Sequence, residues 1–162
     1  MQTLSPRTIR WLEDASWSDD YRWAMAPVLE AELRKRGHEP NDAANAFLSR
    51  YGGLAWHGLN PYQPNAGTVM CHTDAITAAE KGFPAWCRPG AEGVESALCP
   101  IGEWGYGHYL VAMDAHGRVF GMDDLLVWKE FGSSGEEFLD SQSHDWRWPR
   151  PKWPRGTQPR RR

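Results

Sequence analysis

Residues 101–131, IGEWGYGHYLVAMDAHGRVFGMDDLLVWKEF, constrain the fold more than any other stretch, because they spell strand, turn and strand in one local run. Residues 109–113 and 119–122 are unbroken apolar runs of strand length. Between them lie Asp114, Ala115, His116 and Gly117. An aspartate at the first turn position accepts a backbone N–H, and a glycine at the fourth supplies the positive φ of a bulge. The two strands are therefore expected to run antiparallel, as the central hairpin of a mixed sheet. Side chains alternate across a strand, so Tyr109, Val111 and Met113 face one way and Leu110 and Ala112 the other. Neither face is polar. Such a strand is either covered on both sides or leaves an apolar surface for a partner.

A chain of 162 residues is one domain by length and buries roughly 70% of its unfolded surface. Its first thirty residues are broken by charges every few positions, which predicts neither a signal peptide nor a membrane span, and so a cytoplasmic protein. Cys71, Cys87 and Cys99 are odd in number and form no CxxC, which argues against a disulfide framework and a structural zinc site. They are expected to be buried free thiols. The net charge of −3 hides an asymmetry: residues 1–146 carry 11 basic side chains against all 21 acidic ones, a net of −10, and residues 147–162 carry seven basic ones and no acid. So acidic a body attracts basic partners and repels nucleic acid, with salt weakening the effect.

Taken in order, Ser5 and Pro6 read as the N-cap and first residue of a short helix over about residues 6–15, with Ile9 and Leu12 on one face. Pro27 opens a second helix whose inner stripe is Val28, Leu29 and Leu33; Glu30 precedes Arg34 by one turn, and Gly37 closes it. Asn41 or Asp42 caps a third, with Ala44, Phe47, Leu48 and Tyr51 on its inner face and both Gly52 and Gly53 in positive-φ geometry at its end. Strands are expected at 54–59 and 68–72, a short helix at 75–81, a Pro/Gly-punctuated loop at 82–95 and extended chain at 97–101. After the hairpin, 125–129 reads as a strand. Ser134 with Glu137 forms a capping box opening a helix to about 142. The fold class is α+β: N-terminal helices, then a mostly antiparallel twisted sheet, then a C-terminal helix, within a domain of residues 1–144. Residues 145–162, DWRWPRPKWPRGTQPRRR, form a basic tail in which four prolines oppose helix and sheet, so it is expected to be disordered.

Three strings, NDAANAFLSRYGGL, CPIGEWGYGHYLVAMDAHGRVFGMDD and FGSSGEEFLD, together resemble the third family of the SUKH superfamily, whose members are bacterial immunity proteins. The resemblance runs over about residues 4–140 and includes Trp17 and Gly37. It implies a SUKH-like α+β fold and a cytoplasmic antitoxin that binds and neutralises a polymorphic toxin, often a nuclease or a nucleic-acid deaminase. It brings no catalytic residue and no cofactor. The aromatic insertion Trp104, Tyr106 and the Trp/Pro/Arg tail depart from the family pattern. An acidic body agrees with a basic toxin partner, since opposite charge steers encounter and buried aromatics slow dissociation.

The candidate toxin-binding residues are Trp104, Tyr106, His108, Asp123, Asp124, Trp128 and Glu130. In WGYGHY the aromatic side chains alternate with glycines, as anchors on a loop would; the competing reading is that they cover one end of the core. Asp123, Asp124 and Glu130, with Glu136 and Glu137, would present carboxylates to toxin arginines, although most surface carboxylates merely solvate. A thiol hydrolase assembled from Cys99, His108 or His116, and Asp114 is disfavoured because Asp114 and His116 serve the turn and no GxSxG occurs. Cys71 and His72, adjacent on a strand, point to opposite faces and do not chelate one metal ion. GEWGYG lacks the flanking strand and helix of a nucleotide loop. Two other functions compete: a general protein- or glycan-binding scaffold using the sheet and aromatic loop, and nucleic-acid binding through the tail, whose tryptophans and arginines could instead fold back on the acidic body.

Overall fold

The computed structural model describes residues 4–59, 68–81, 87–89, 96–105, 107–122 and 128–143. The tail, most of the 82–95 loop, Tyr106, Asp123 and Asp124 lie outside them. Among the described residues, five helices and six strands run in the order α1 (Pro6–Asp14), α2 (Ala26–Lys35), α3 (Asp42–Tyr51), β1 (Ala55–Leu59), β2 (Thr68–His72), α4 (Ala75–Lys81), β3 (Cys99–Trp104), β4 (Tyr109–Met113), β5 (Val119–Met122), β6 (Trp128–Gly132) and α5 (Gly135–Ser143). The sheet is a meander in sequence order, and every neighbouring pair is antiparallel. The mixed sheet expected from the sequence is thus replaced by an all-antiparallel one, and its middle pair is β3–β4 rather than β4–β5.

The β4–β5 turn has the expected chemistry. Asp114 Oδ1 accepts from the backbone N–H groups of His116 and Arg118, both at 2.9 Å, and Gly117 stands at φ +85°. Arg118 Nε donates to Asp114 Oδ2 at 2.7 Å, so the buried carboxylate is paired as well as capped. Strand β4 is covered on both faces. Tyr109, Val111 and Met113 join the core built by α1, α2, α3 and α5, while Leu110 and Ala112 pack in a second cluster with Ala78, Cys87, Leu98, Phe120, Met122 and Trp128.

The helices close the first core by local signals. Ser5 caps α1 by accepting from Thr8 N at 3.2 Å, and Asp140 Oδ1 of α5 accepts from Ser5 N at 2.9 Å and from the Thr8 hydroxyl. Asn41 Oδ1 caps α3 through Ala44 N at 2.9 Å, while its Nδ2 donates to Met113 O at 3.1 Å, fastening α3 to the end of β4. Aromatic rings cross this core edge to face, Trp11 on Trp56, Trp56 on Trp104 and Trp104 on Phe138, at 4.7, 6.4 and 6.0 Å between centroids.

Four expectations are corrected. Val28 is 46% exposed, because Leu29 and Leu33, one turn apart, take the inner face of α2 and leave their neighbour rotated outward. Gly52 is extended at φ −68°, and only Gly53 has positive φ. Gly52 serves close approach instead, since a Cβ there would lie 2.4 Å from Trp23 Cε3. Strand β3 continues past residue 101 to Trp104, carried by pairing with β4 from Cys99↔Met113 to Trp104↔Tyr109, and β6 lies three residues later than expected, paired to β5 from Met122↔Trp128 to Val119↔Gly132. The Ser134 side chain caps α5 through Glu137 N at 3.1 Å, as expected, and the Glu137 carboxylate also accepts from the N–H of Ser133 at 2.8 Å.

Candidate partner-binding surface

The seven candidate residues separate by position. Trp104, expected on a loop, ends β3 and is 5% exposed between Trp56 and Phe138; Trp128 opens β6 and is buried in the second cluster against the strand that carries Met122. These two aromatics belong to the two separate buried clusters, on opposite faces of the sheet. His108 is exposed in the tight β3–β4 turn, where its N–H donates to Gly105 O at 3.2 Å, and Glu130 is exposed on the edge strand β6. Gly105 and Gly107 both have positive φ in that turn, which accounts for the glycine alternation around His108. Tyr106, Asp123 and Asp124 lie outside the described residues.

Cys99, His108, His116 and Asp114 do not form a hydrolase relay. Cys99 is fully buried, and burial pushes its thiol up to about 12, far from the reactive thiolate range. The Asp114 carboxylate is held by the turn N–H groups and Arg118, and His116 Nδ1 stands 3.7 Å from it. His108 and His116 flank opposite ends of β4. Cys71 is buried in the helix-side core while His72 Nε2 lies 3.3 Å from Glu103 Oε2 across β2–β3, so the two adjacent residues do serve opposite faces. Among the described residues, no group of three or more His, Cys, Asp or Glu is placed to hold a metal ion, and no helix is long and apolar enough to cross a membrane.

A second feature escaped sequence reasoning. Helix α3, the β4–β5 turn and the first turn of α5 meet around a recess of about 300 Å³, with Phe47 and Met113 among its apolar walls and Arg50, Tyr51 and Glu136 among its polar ones. Gly135 makes the junction possible, because a Cβ there would lie 2.3 Å from Phe47 Cδ2. Tyr51 is 1% exposed, and its hydroxyl has no hydrogen-bond partner among the described residues. Burial raises the pKa of that hydroxyl; Arg50 opposes the shift, and Glu136 and Asp19 add to it. The group is therefore a neutral donor and acceptor at physiological pH. Arg50 places its guanidinium carbon 5.3 Å from the Tyr51 ring centroid and 5.9 Å from that of Trp17. A sequence signal for this recess is the pair of small residues Ala43, partly buried against the core, and Ala46, exposed, on α3.

An α+β fold with this helix and strand order exposes turns and an edge strand among the described residues. The SUKH-3 immunity protein family matches residues 4–141, and the chain belongs to that family. No curated protein and no solved structure matches it.

Proposed function

We propose that the chain is an antitoxin that binds a cognate polymorphic toxin in the cytoplasm and occludes it, carrying out no chemistry of its own. Membership of an immunity protein family over nearly the whole described length is the observation that carries this reading. The toxin is a nuclease or nucleic-acid deaminase with a basic surface. The net charge of −10 over residues 1–146 supports that assignment, since an inhibitor of opposite charge gains encounter rate by steering. Contact runs through Tyr106 and His108 and through the carboxylates of Asp123, Asp124 and Glu130. Trp104 and Trp128 hold these segments in place. Residues 1–144 form the binding domain, and the basic tail is separate from it.

Co-expression with the toxin domain tests the proposal: growth is restored by this chain and the two proteins co-purify. If the toxin kills equally with and without this chain, the proposal is wrong.

A further inference from the structure

We propose that the recess between α3 and the first turn of α5 seats the chain's own tail, with the Trp153 indole laid against Ala43, Ala46 and the edge of Phe47. The contact goes beyond the proposed function and involves no toxin.

Three observations carry it. The first is the character of the recess, which at about 300 Å³ has room for one bulky side chain and sets one base, Arg50, and one acid, Glu136, among apolar walls. Neither sign of charge prevails there, so it suits an uncharged guest with an apolar body and a polar edge, as an indole is. The second is reach. The tail begins at residue 144, directly after α5 (Gly135–Ser143), and the recess lies at the opposite end of that helix. Nine helical residues at about 1.5 Å each place the start of the tail about 13 Å from the recess. An extended chain spans at most about 3.5 Å per residue, so Trp146 at about 10 Å falls short and Trp148 at about 17 Å has little left for reversing direction, whereas Trp153 at about 35 Å has room to turn back. The third is charge and tethering. Residues 147–162 carry seven basic side chains and no acid, against a net of −10 over residues 1–146, so the tail is drawn to the body as a whole. A tethered segment also meets its seat at an effective concentration of roughly millimolar order, so one weak indole contact is enough to fill it. The tail lies outside the family match, which ends at residue 141.

The test uses the full-length chain alone. Ala46→Cys puts a thiol at an exposed position on the recess wall, and Cys71, Cys87 and Cys99 are buried, so the rate at which a disulfide reagent labels the new thiol reports whether the recess is covered. Adding Trp153→Ser is expected to speed that labelling several-fold, whereas adding Trp148→Ser leaves it unchanged; a thermal midpoint on each variant checks that it is folded. In the wild-type chain, NMR cross-peaks are expected from the Ala43 and Ala46 methyl groups to an indole, and Trp153→Ser should remove them. Equal labelling rates with and without Trp153, and no cross-peak that depends on it, overturn the inference. Acceleration by Trp148→Ser instead of Trp153→Ser overturns the choice of indole. A Trp153 effect that disappears on dilution overturns the inference as well, by showing that the recess holds the tail of a second copy. In each of these cases the proposed function stands, because no toxin enters the measurement.

Discussion

Asp114 is a fully buried carboxylate that stays ionised. Burial is the largest influence and raises its pKa, but the Arg118 side chain, the N–H groups of Arg118 and His116 and the Arg118 charge together outweigh it and hold the group below the usual aspartate value. A carboxylate whose folded pKa is depressed contributes stability that is present above its unfolded value, about 4, and is lost as the pH falls through the folded value. Asp114→Asn should cost about 2 kcal/mol at pH 7, because buried N–H donors lose a charged acceptor. The wild-type advantage over Asp114→Asn in urea unfolding should shrink steadily below about pH 4; a constant difference across that range would show that the carboxylate is not charged in the folded state. The thiols are set by burial in the opposite sense. Cys87 and Cys99 are pushed up to about 12, and Cys71 is buried with them. A thiol-reactive disulfide reagent at about pH 8 should therefore leave the native protein unlabelled and titrate all three cysteines once it is unfolded. Rapid labelling of the native chain would contradict this packing.

Among the elements, α1 is tied to α5 by polar contacts around one carboxylate as well as through the shared core, with Ser5 N and the Thr8 hydroxyl both donating to Asp140 Oδ1 and Thr8 Oγ1 lying 2.6 Å from Ser143 Oγ. Asp140→Ala is expected to lower stability by about 1–3 kcal/mol and to expose α1 amides to hydrogen exchange before those of β4. Uniform exchange across both elements would show that α1 does not detach independently. Elements whose signals are local were legible in the sequence: the Asp114–Gly117 turn with its two strands, the Asn41 cap and the α3 stripe of Ala44, Phe47, Leu48 and Tyr51 all occur as expected. Elements set by distant partners were not. Trp104 extends β3 because Tyr109 pairs with it, and β6 runs to Gly132 because Val119 does the same, neither of which periodicity reveals. The recess was illegible for the same reason: Phe47, Met113 and Gly135 lie far apart in sequence and meet only after folding. Of the candidate binding residues, the aromatics were recognised as important, but whether a tryptophan anchors a partner or a core depends on what packs over it. For Trp104 and Trp128 the core claims them.

For the whole molecule, an all-antiparallel sheet is covered by helices on one face and by a second cluster on the other, and the proposed contact accordingly runs through turns and an edge strand. The acidic body acts at longer range. Replacing Asp123 and Asp124 together by Lys should slow toxin association several-fold, roughly, with little change in dissociation, and the effect should fade as salt is raised past about 0.15 M. An unchanged association rate in stopped-flow mixing would remove these two aspartates from the encounter surface. The central claim is that this chain blocks its target by fitting against it. Its most direct test titrates the purified full-length chain into the active toxin domain while toxin turnover is followed. Activity should fall linearly to zero at one stoichiometric equivalence point, with both polypeptides recovered intact in a single complex. Undiminished turnover at excess chain would contradict the account, as would loss of activity accompanied by cleavage or modification of the toxin.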